Sequence, residues 1–341
     1  MTTSDDGVVT SNPLSREPRS GPGRRWLGRL VSLVLSLAIL GWATRWVDLP
    51  WWPVAVVQSV VPAAGIAVLA ATVTTVLLRR RRMRWVGAVA SALVLLVAVP
   101  GSWPWRAVTP GGGRLVVLSS NLEFGQGDPG QLLALVRAQQ VDVLVLLELT
   151  PSAREALLAA GLDALLPHEV GQTRPGADGT VIRSRYPLTA LDGVVLPKGR
   201  RDLNQPAARV AAPSGPITVL AVHPYPPSNP GSMPHWQAGL EAIGVWAQGQ
   251  SRGIPVVLAG DFNASSDHPA FRSATTGFVD AHAASGAGWV RTWPQESRVP
   301  PFVQLDHVLA RDLGGVLSVG AAVVPGSDHA AVWAAWAVPA R

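Results

Sequence analysis

The sequence predicts an α/β chain in two parts, an apolar helical segment followed by a body in which strand-like and helix-like runs alternate. Three observations predict this. Residues 26–100 contain three nearly uncharged runs, at about 26–47, 54–78 and 85–100. Residues 114–341 alternate short runs rich in Val, Leu and Ile with amphipathic stretches, the pattern of α/β units. Several of those apolar runs end in Asp, Glu, Asn or His, side chains that a strand interior buries only at a cost.

At 341 residues, 48% of them hydrophobic, the chain has room for one large body and additional segments. It has no cysteine, which excludes disulfides, thiolate metal sites and cysteine nucleophiles. The formal charge of +6 is unevenly placed. Residues 1–113 carry 12 Arg against 4 acidic residues (+8), and residues 114–341 carry 16 basic against 18 acidic residues (−2). The basicity therefore belongs to the N-terminal third and does not mark a nucleic-acid footprint on the remainder.

Residues 1–25 are rich in Ser, Pro, Gly and Arg and read as a disordered cytoplasmic N-terminus. The run at 30–44, LVSLVLSLAILGWAT, reaches spanning length when counted as 26–47 with Arg29 snorkelling. A cleaved signal peptide is the competing reading, but Trp51, Trp52 and a further apolar run follow where a polar sequence would begin. Residues 54–78 are 25 residues without a charge, and 85–100 are short but uncharged. A soluble helical hairpin would need a very large core to cover all three runs. The arginines at 24, 25 and 29 and at 79–82 and 84 orient the segment, because both clusters should stay in the cytoplasm. The expectation is a multi-pass cell-membrane protein with three transmembrane helices and an extracytoplasmic body. A linker over 101–113 joins the two, with Trp103 and Trp105 as interfacial anchors.

In the body, 114–119 (RLVVLS) is a strand that delivers Asn121 and Glu123, followed by a helix over 131–139. Residues 141–149 (VDVLVLLEL) form a second buried strand with Glu148 near its end, where a carboxylate needs a cation or an Arg partner. A helix over 152–160 and strands over 180–184 and 217–222 follow, the last ending in His223 beside a proline-rich loop. A helix over 236–248 precedes the apolar run 256–259, which breaks at Gly260 into Asp261-Phe262-Asn263. Residues i and i+2 of an extended segment face the same way, so Asp261 and Asn263 are presented together. Such oxygen donors suit a hard cation, Mg²⁺ or Mn²⁺. The strand expected over 302–309 (FVQLDHVL) places Asp306 in its middle and His307 on the opposite face. Ser327-Asp328-His329 precedes a last strand over 331–338. A buried carboxylate on one strand and a histidine at the end of another make an orienter-and-base pair. Taken singly, each piece is also what an ordinary turn or a structural histidine looks like.

Together, GDFNA, LDHVL and GSDHA, with SSNLEFG and VLVLLELT at the matching places, resemble the endonuclease/exonuclease/phosphatase superfamily over residues 114–341. The apolar runs joined to such a body, and GWVRTWP at 288–294, are similar to bacterial membrane-bound members. The resemblance implies a four-layer α/β sandwich, two packed mixed β-sheets flanked by helices, with the site at one end. It implies metal-dependent phosphoester hydrolysis, with Glu148 as principal ligand of Mg²⁺ or Mn²⁺, Asn121 close by and Asp328 near the metal. Glu123 joins that set where many relatives have Asp. Asp261 and Asn263 would hold the attacking water and the phosphate oxygens. His329 would be the general base, oriented by Asp306, and His223 would hydrogen-bond the phosphate. The family's usual Gln before its metal-binding Glu is Leu147 here, expected to face away from the metal.

Within that class a lipid headgroup or small phosphoester is the expected substrate, because a body of net charge −2 matches a nucleic-acid backbone poorly. A nuclease using a patch of Arg183, Arg185, Lys198, Arg200 and Arg201 is the alternative. A binding module that lost turnover is a second alternative, opposed by the intact Asp261, Asn263, Asp306 and His329. The sequence points to no protein partner.

Overall fold

The structure, a computed structural model, describes residues 22–102, 113–195 and 204–339. Nearly all of the expected disordered N-terminus, the anchors Trp103 and Trp105, most of the linker, and Lys198, Arg200 and Arg201 lie outside the described residues.

The chain begins with α1 (Pro22–Ala43), continued by a 3-10 turn at Thr44–Trp46, then α2 (Trp52–Gln58), α3 (Val61–Leu77) and α4 (Arg81–Ser102). This corrects the expectation of three transmembrane helices. Among the described residues one helix, Arg25–Trp46, is long and apolar enough to cross a membrane, or up to two if the bent pair α2 and α3 is one span. The second expected run breaks at Ser59-Val60, ahead of a proline in the first turn of α3, and its halves meet at 62°. Proline supplies no N–H for a continuing helix and so favours a fresh first turn. α4 opens with Arg81, Arg82 and Arg84, which delays its apolar stretch to Trp85.

Leu35, Trp42, Val61, Val68 and Val94 form a small core between these helices. Leu33, Leu40, Ile66, Val73, Val89 and Leu96 are exposed on their outer faces. Arg80 donates to the Arg25 carbonyl, which sets the arginine-rich turn beside the start of α1. The far end of the bundle docks on the α/β body. There Arg45 pairs with Asp267 at 3.3 Å, Arg272 donates to the Arg45 carbonyl, and His268 Nε2 lies 2.9 Å from the Ala55 carbonyl.

The body runs β1 (Gly113–Asn121), α5 (Pro129–Gln139), β2 (Val143–Leu147), α6 (Pro151–Ala159), α7 (Leu162–Leu165), β3 (His168–Gln172), β4 (Thr180–Ser184), β5 (Leu188–Val195) and β6 (Asn204–Ala212). It continues with β7 (Gly215–Val222), α8 (Met233–Gly249), β8 (Val256–Asp261), α9 (Pro269–Ala274), β9 (Val279–Asp280), α10 (Ala281–Ser285), β10 (Asp306–Arg311), β11 (Val316–Val323) and β12 (Ala330–Val338). The strands make two six-stranded sheets, in the orders β11-β12-β1-β2-β4-β3 and β5-β6-β7-β8-β10-β9. Each contains one parallel pair, β1–β2 joined through α5 and β7–β8 joined through α8, and is otherwise antiparallel.

Val117, Val145 and Leu147 of one sheet meet Val219, Val257 and Ala259 of the other in the central core. Leu132, Leu133 and Leu157 pack α5 and α6 on the outer side of the first sheet. Trp236, Leu240 and Phe271 pack α8 and α9 on the outer side of the second. The result is four layers, two mixed sheets between helices. Leu147, fully buried between the sheets, faces away from the strand-end cleft. One boundary is corrected: Asp306 starts β10 and does not lie mid-strand. β10 pairs antiparallel with β8, Asp306 opposite Asp261, so it begins where β8 ends. The preceding backbone turns instead onto Thr292 Oγ1, which accepts from Leu305 N and Asp306 N.

Candidate active site

The two parallel pairs end at the same edge of the sandwich. Asn121 closes β1 and Glu148 follows β2; His223 follows β7 and Asp261 closes β8. Asp306 enters the same edge because β10 runs antiparallel to β8, and His329 sits in the turn just before β12. The β7–β8 end demands glycine: Gly260 lies opposite Val222 at φ 154°, and a Cβ there would sit 1.9 Å from the Val222 carbonyl oxygen. Four non-glycine residues at this edge adopt left-handed backbone, Glu123 (φ 44°), Phe124 (57°), Glu148 (54°) and Asn263 (48°). Such conformations are costly for side chains with a Cβ and persist where surrounding structure enforces them, most often at functional sites.

The side chains form one connected network. Asn121 Nδ2 donates to Glu148 Oε1 and to Asp261 Oδ2, each at 3.3 Å, while its Oδ1 accepts from Glu123 N at 3.0 Å. The carboxamide oxygen is thereby turned from the carboxylates. Glu148 Oε2 also accepts from Phe124 N at 2.9 Å. His223 Nε2 lies 3.6 Å from Glu148 Oε1 and 3.9 Å from Asp261 Oδ2. Asn263 donates its backbone N–H to Asp261 Oδ1 (2.7 Å) and its carboxamide to the Pro224 carbonyl (2.9 Å). His329 Nδ1 lies 2.8 Å from Asp306 Oδ2, and its Nε2 faces Asp261 Oδ2 at 3.6 Å and Asp328 Oδ1 at 3.8 Å.

Burial sets the charges. It raises Glu148, whose bonds from Phe124 N and Asn121 offset only part of the cost. It pushes Asp261 up to about 6. Burial disfavours the charged ring of His329, yet Asp306, Asp261 and Asp328 together hold the imidazolium and raise its pKa to about 10. Glu123 is raised by burial and by repulsion from Asp328 and Glu148. Carboxylates that repel one another, in a cavity lined among the described residues by no Lys or Arg, are a donor set short of a cation. Hard oxygen donors of this kind fit Mg²⁺ or Mn²⁺. Ligating atoms of Asp261, Asp306 and His329 also lie within 4.8 Å of one another. There, however, the Asp306–His329 hydrogen bond already occupies two of the three, so Glu148, Glu123 and Asp328 are the more available set.

Seven of the nine residues singled out from the sequence line one cavity of about 720 Å³. The other two, Asn121 and Asp306, lie behind it, bonded to Glu148 and His329. His307 faces away, its Nδ1 2.6 Å from Asp280 Oδ2 and its Nε2 3.0 Å from the Ala264 carbonyl. Arg183 and Arg185 do not reach the cavity. Arg183 is buried on Glu169 and Asp163, and Arg185 lies 3.6 Å from Asp142, at the opposite end of β2 from Glu148.

Three supports escaped the sequence reading. Ser327 Oγ donates to the Asn121 carbonyl (2.7 Å) and accepts from His329 N (3.1 Å), tying the turn before β12 to the end of β1 within the first sheet. Trp293 Nε1 donates to Asp328 Oδ2 at 3.0 Å. The third is α2 and the turn after it: Val56 and Val57 of the helix and Val60 beyond it wall the cavity. Serine beside the Asp-His pair was a readable signal; the contact of α2 with His268, 213 residues along the chain, was not.

Among curated proteins none matches the chain. Solved structures do. A truncated Caenorhabditis elegans TDP2 is 16% identical with a TM-score of 0.55, over 67% of this chain and 100% of that one. D. rerio TDP2, complexed with a single-strand DNA product, is 17% identical with a TM-score of 0.54, over 66% and 99%. An AP endonuclease from Archaeoglobus fulgidus is 16% identical with a TM-score of 0.53, over 66% and 100%. At these identities the likeness is one of fold. It agrees with the sequence, where residues 118–329, more than half the chain, match the family model: the chain belongs to the endonuclease/exonuclease/phosphatase family.

Proposed function

We infer that the chain hydrolyses a phosphate ester with the help of a divalent metal. The observation that carries this is the meeting of His329–Asp306, Asp261, His223 and Glu148, from five separate strand ends, around one cavity. Glu148, with Glu123 and Asp328, would hold Mg²⁺ or Mn²⁺. The cation would offset charge on the non-bridging phosphate oxygens. With the ring in its neutral form, its Nε2 proton already lost, Asp261 and His329 Nε2, 3.6 Å apart, would share the attacking water, with the proton passing to Nε2 as the oxygen bonds phosphorus and the ester P–O bond breaks. Asp306 fixes the ring through Nδ1. His223 and the Asn263 amide would meet the phosphoryl oxygens as charge builds on them.

The test uses the full-length chain in detergent with bis-p-nitrophenyl phosphate. Turnover with Mg²⁺ or Mn²⁺ that is abolished by EDTA and by His329→Ala is expected. Turnover indifferent to both would overturn the assignment, and folded protein inert on all phosphoesters would favour a binding module.

The same reading puts the chain at a membrane, anchored through its apolar N-terminal helices with the α/β body outside the cytoplasm. The apolar outer faces of α1, α3 and α4 support this. So does polarity: the arginine-rich turn lies at one end of the bundle and the docked body at the other. A C-terminal alkaline phosphatase fusion expressed in a bacterial host should be active; an inactive fusion beside an active cytoplasmic reporter would refute the orientation.

A further inference from the structure

The cavity is chemically two-sided. At its floor stand the acids and histidines. Its walls are Val56, Val57 and Val60 of the α2 region, with Phe124, Tyr225 and Phe302 from the body. Val56, Val57 and Phe124 are 47%, 37% and 48% exposed, well above what isolated core residues show, and all three turn toward this one opening. α2 is fixed there by the His268–Ala55 carbonyl contact and by the Arg45–Asp267 pair just before it, so the wall is part of the site. No Lys or Arg lines the cavity among the described residues, which deprives a polyanionic strand of the contacts it would need along its backbone.

We propose that the substrate is a phosphate ester carrying an apolar chain, a lipid presented by the adjoining bilayer, whose chain lies against Val56, Val57 and Val60 while its phosphate reaches the strand ends. This rests on the phosphoesterase reading and deepens it. An apolar wall continuous with a phosphate-directed floor favours a ligand with both characters. Each methylene removed from water adds to its affinity, so burial of two already favours a longer chain about tenfold. α2 lies in sequence between two apolar-faced helices, α1 and α3, which sets the opening beside the surface such a substrate would leave.

The test takes the full-length chain in lipid nanodiscs with Mn²⁺ and a series of p-nitrophenyl methyl, butyl and octyl phosphates, which share one leaving group. Calorimetric titration with methylphosphonate and octylphosphonate gives a readout independent of turnover. The expected result is a kcat/KM ratio of octyl to methyl ester of at least tenfold, a matching gain in octylphosphonate affinity, and a fall of both ratios in Val57→Ser and Val60→Ser. The wild-type series decides the matter even if a variant does not fold. Equal turnover and binding across the series would overturn the inference and leave the phosphoesterase intact. A single-stranded oligonucleotide cleaved faster than the octyl ester would also overturn it. If no ester turns over at all, the phosphoesterase reading fails and this inference falls with it.

Discussion

The two sheets bring matching pieces to the site and treat them differently. Each contributes the C-terminal ends of one parallel pair, Asn121 and Glu148 from β1–β2, His223 and Asp261 from β7–β8. At equivalent register the first pair sets Leu147 opposite Asn121, and the second sets Gly260 opposite Val222. On the first side the chain bends outward through left-handed residues, and Glu123 and Asp328 reach solvent. On the second side Asp261 is 1% exposed and Asp306 0%. One half therefore offers an accessible acidic ledge, the other a pair of desolvated acids, one of which, Asp306, meets His329 reaching across from the turn before β12 of the first sheet. Similar strand ends acquire different chemistry through depth alone.

The largest expected effect falls on the desolvated acid–imidazole pair that joins the two sheets. His329→Ala should lower kcat by about 10³-fold with the fold retained by circular dichroism, and adding Asp306→Ala should cost little more, because the two act as a unit. Full additivity in the double variant would dissolve the pair. Gly260→Ala should destabilise by about 4 kcal/mol or more, since a Cβ meets backbone; a denaturant midpoint close to wild type would show that β7 and β8 can part. Leu147→Ala, at the matching place in the other sheet, should behave as an ordinary cavity mutation of about 2–5 kcal/mol. On the accessible half, Glu148→Gln should weaken Mn²⁺ binding by about tenfold or more in a metal titration, whereas Asp306→Asn should change it far less. Equal losses would erase the division of labour.

The smallest effect is a pH dependence outside both halves. Burial, only partly offset by contacts to the Ala55 and Ser265 backbone, holds His268 at about 4 against an ordinary 6.5. The unfolded chain then binds that proton first, so stability is full above about pH 6.5 and declines as pH falls toward 4. The decline attributable to His268 is roughly 3 kcal/mol at most. Thermal unfolding at pH 7 and 4.5 should show a smaller difference in His268→Asn; an unchanged difference would assign the acid sensitivity elsewhere.

What was legible in the sequence follows from what each element must bury. β1, β2, β7, β8 and β12 lie inside sheets, and their continuous apolar runs announce them. Edge strands β3, β5 and β11 are half exposed and mix polar and small residues, so their runs fall below notice. β6, though interior, is built on Ala207, Ala208 and Ala211 and carries Pro206, a poor strand signature. Site residues were readable because carboxylates and histidines at the ends of buried strands are expensive without a purpose. Phe302 and Leu305 have the apolarity of a strand but spend it on the cavity wall. The break in the second apolar run was marked only by Ser59 and Pro62, and the seat of α2 against the catalytic edge depends on Arg45, Asp267 and His268, residues with no local pattern linking them.

That seat bears on how the protein should be handled. Excision of residues 114–341, the obvious route to a well-behaved soluble fragment, would unroof the cavity by removing Val56 and Val57, strand Asp267 without Arg45, and hand the His268 ring to solvent. Such a fragment would keep its reactive groups and lose part of its selectivity, so a substrate screen run on it would be biased toward small, water-loving esters.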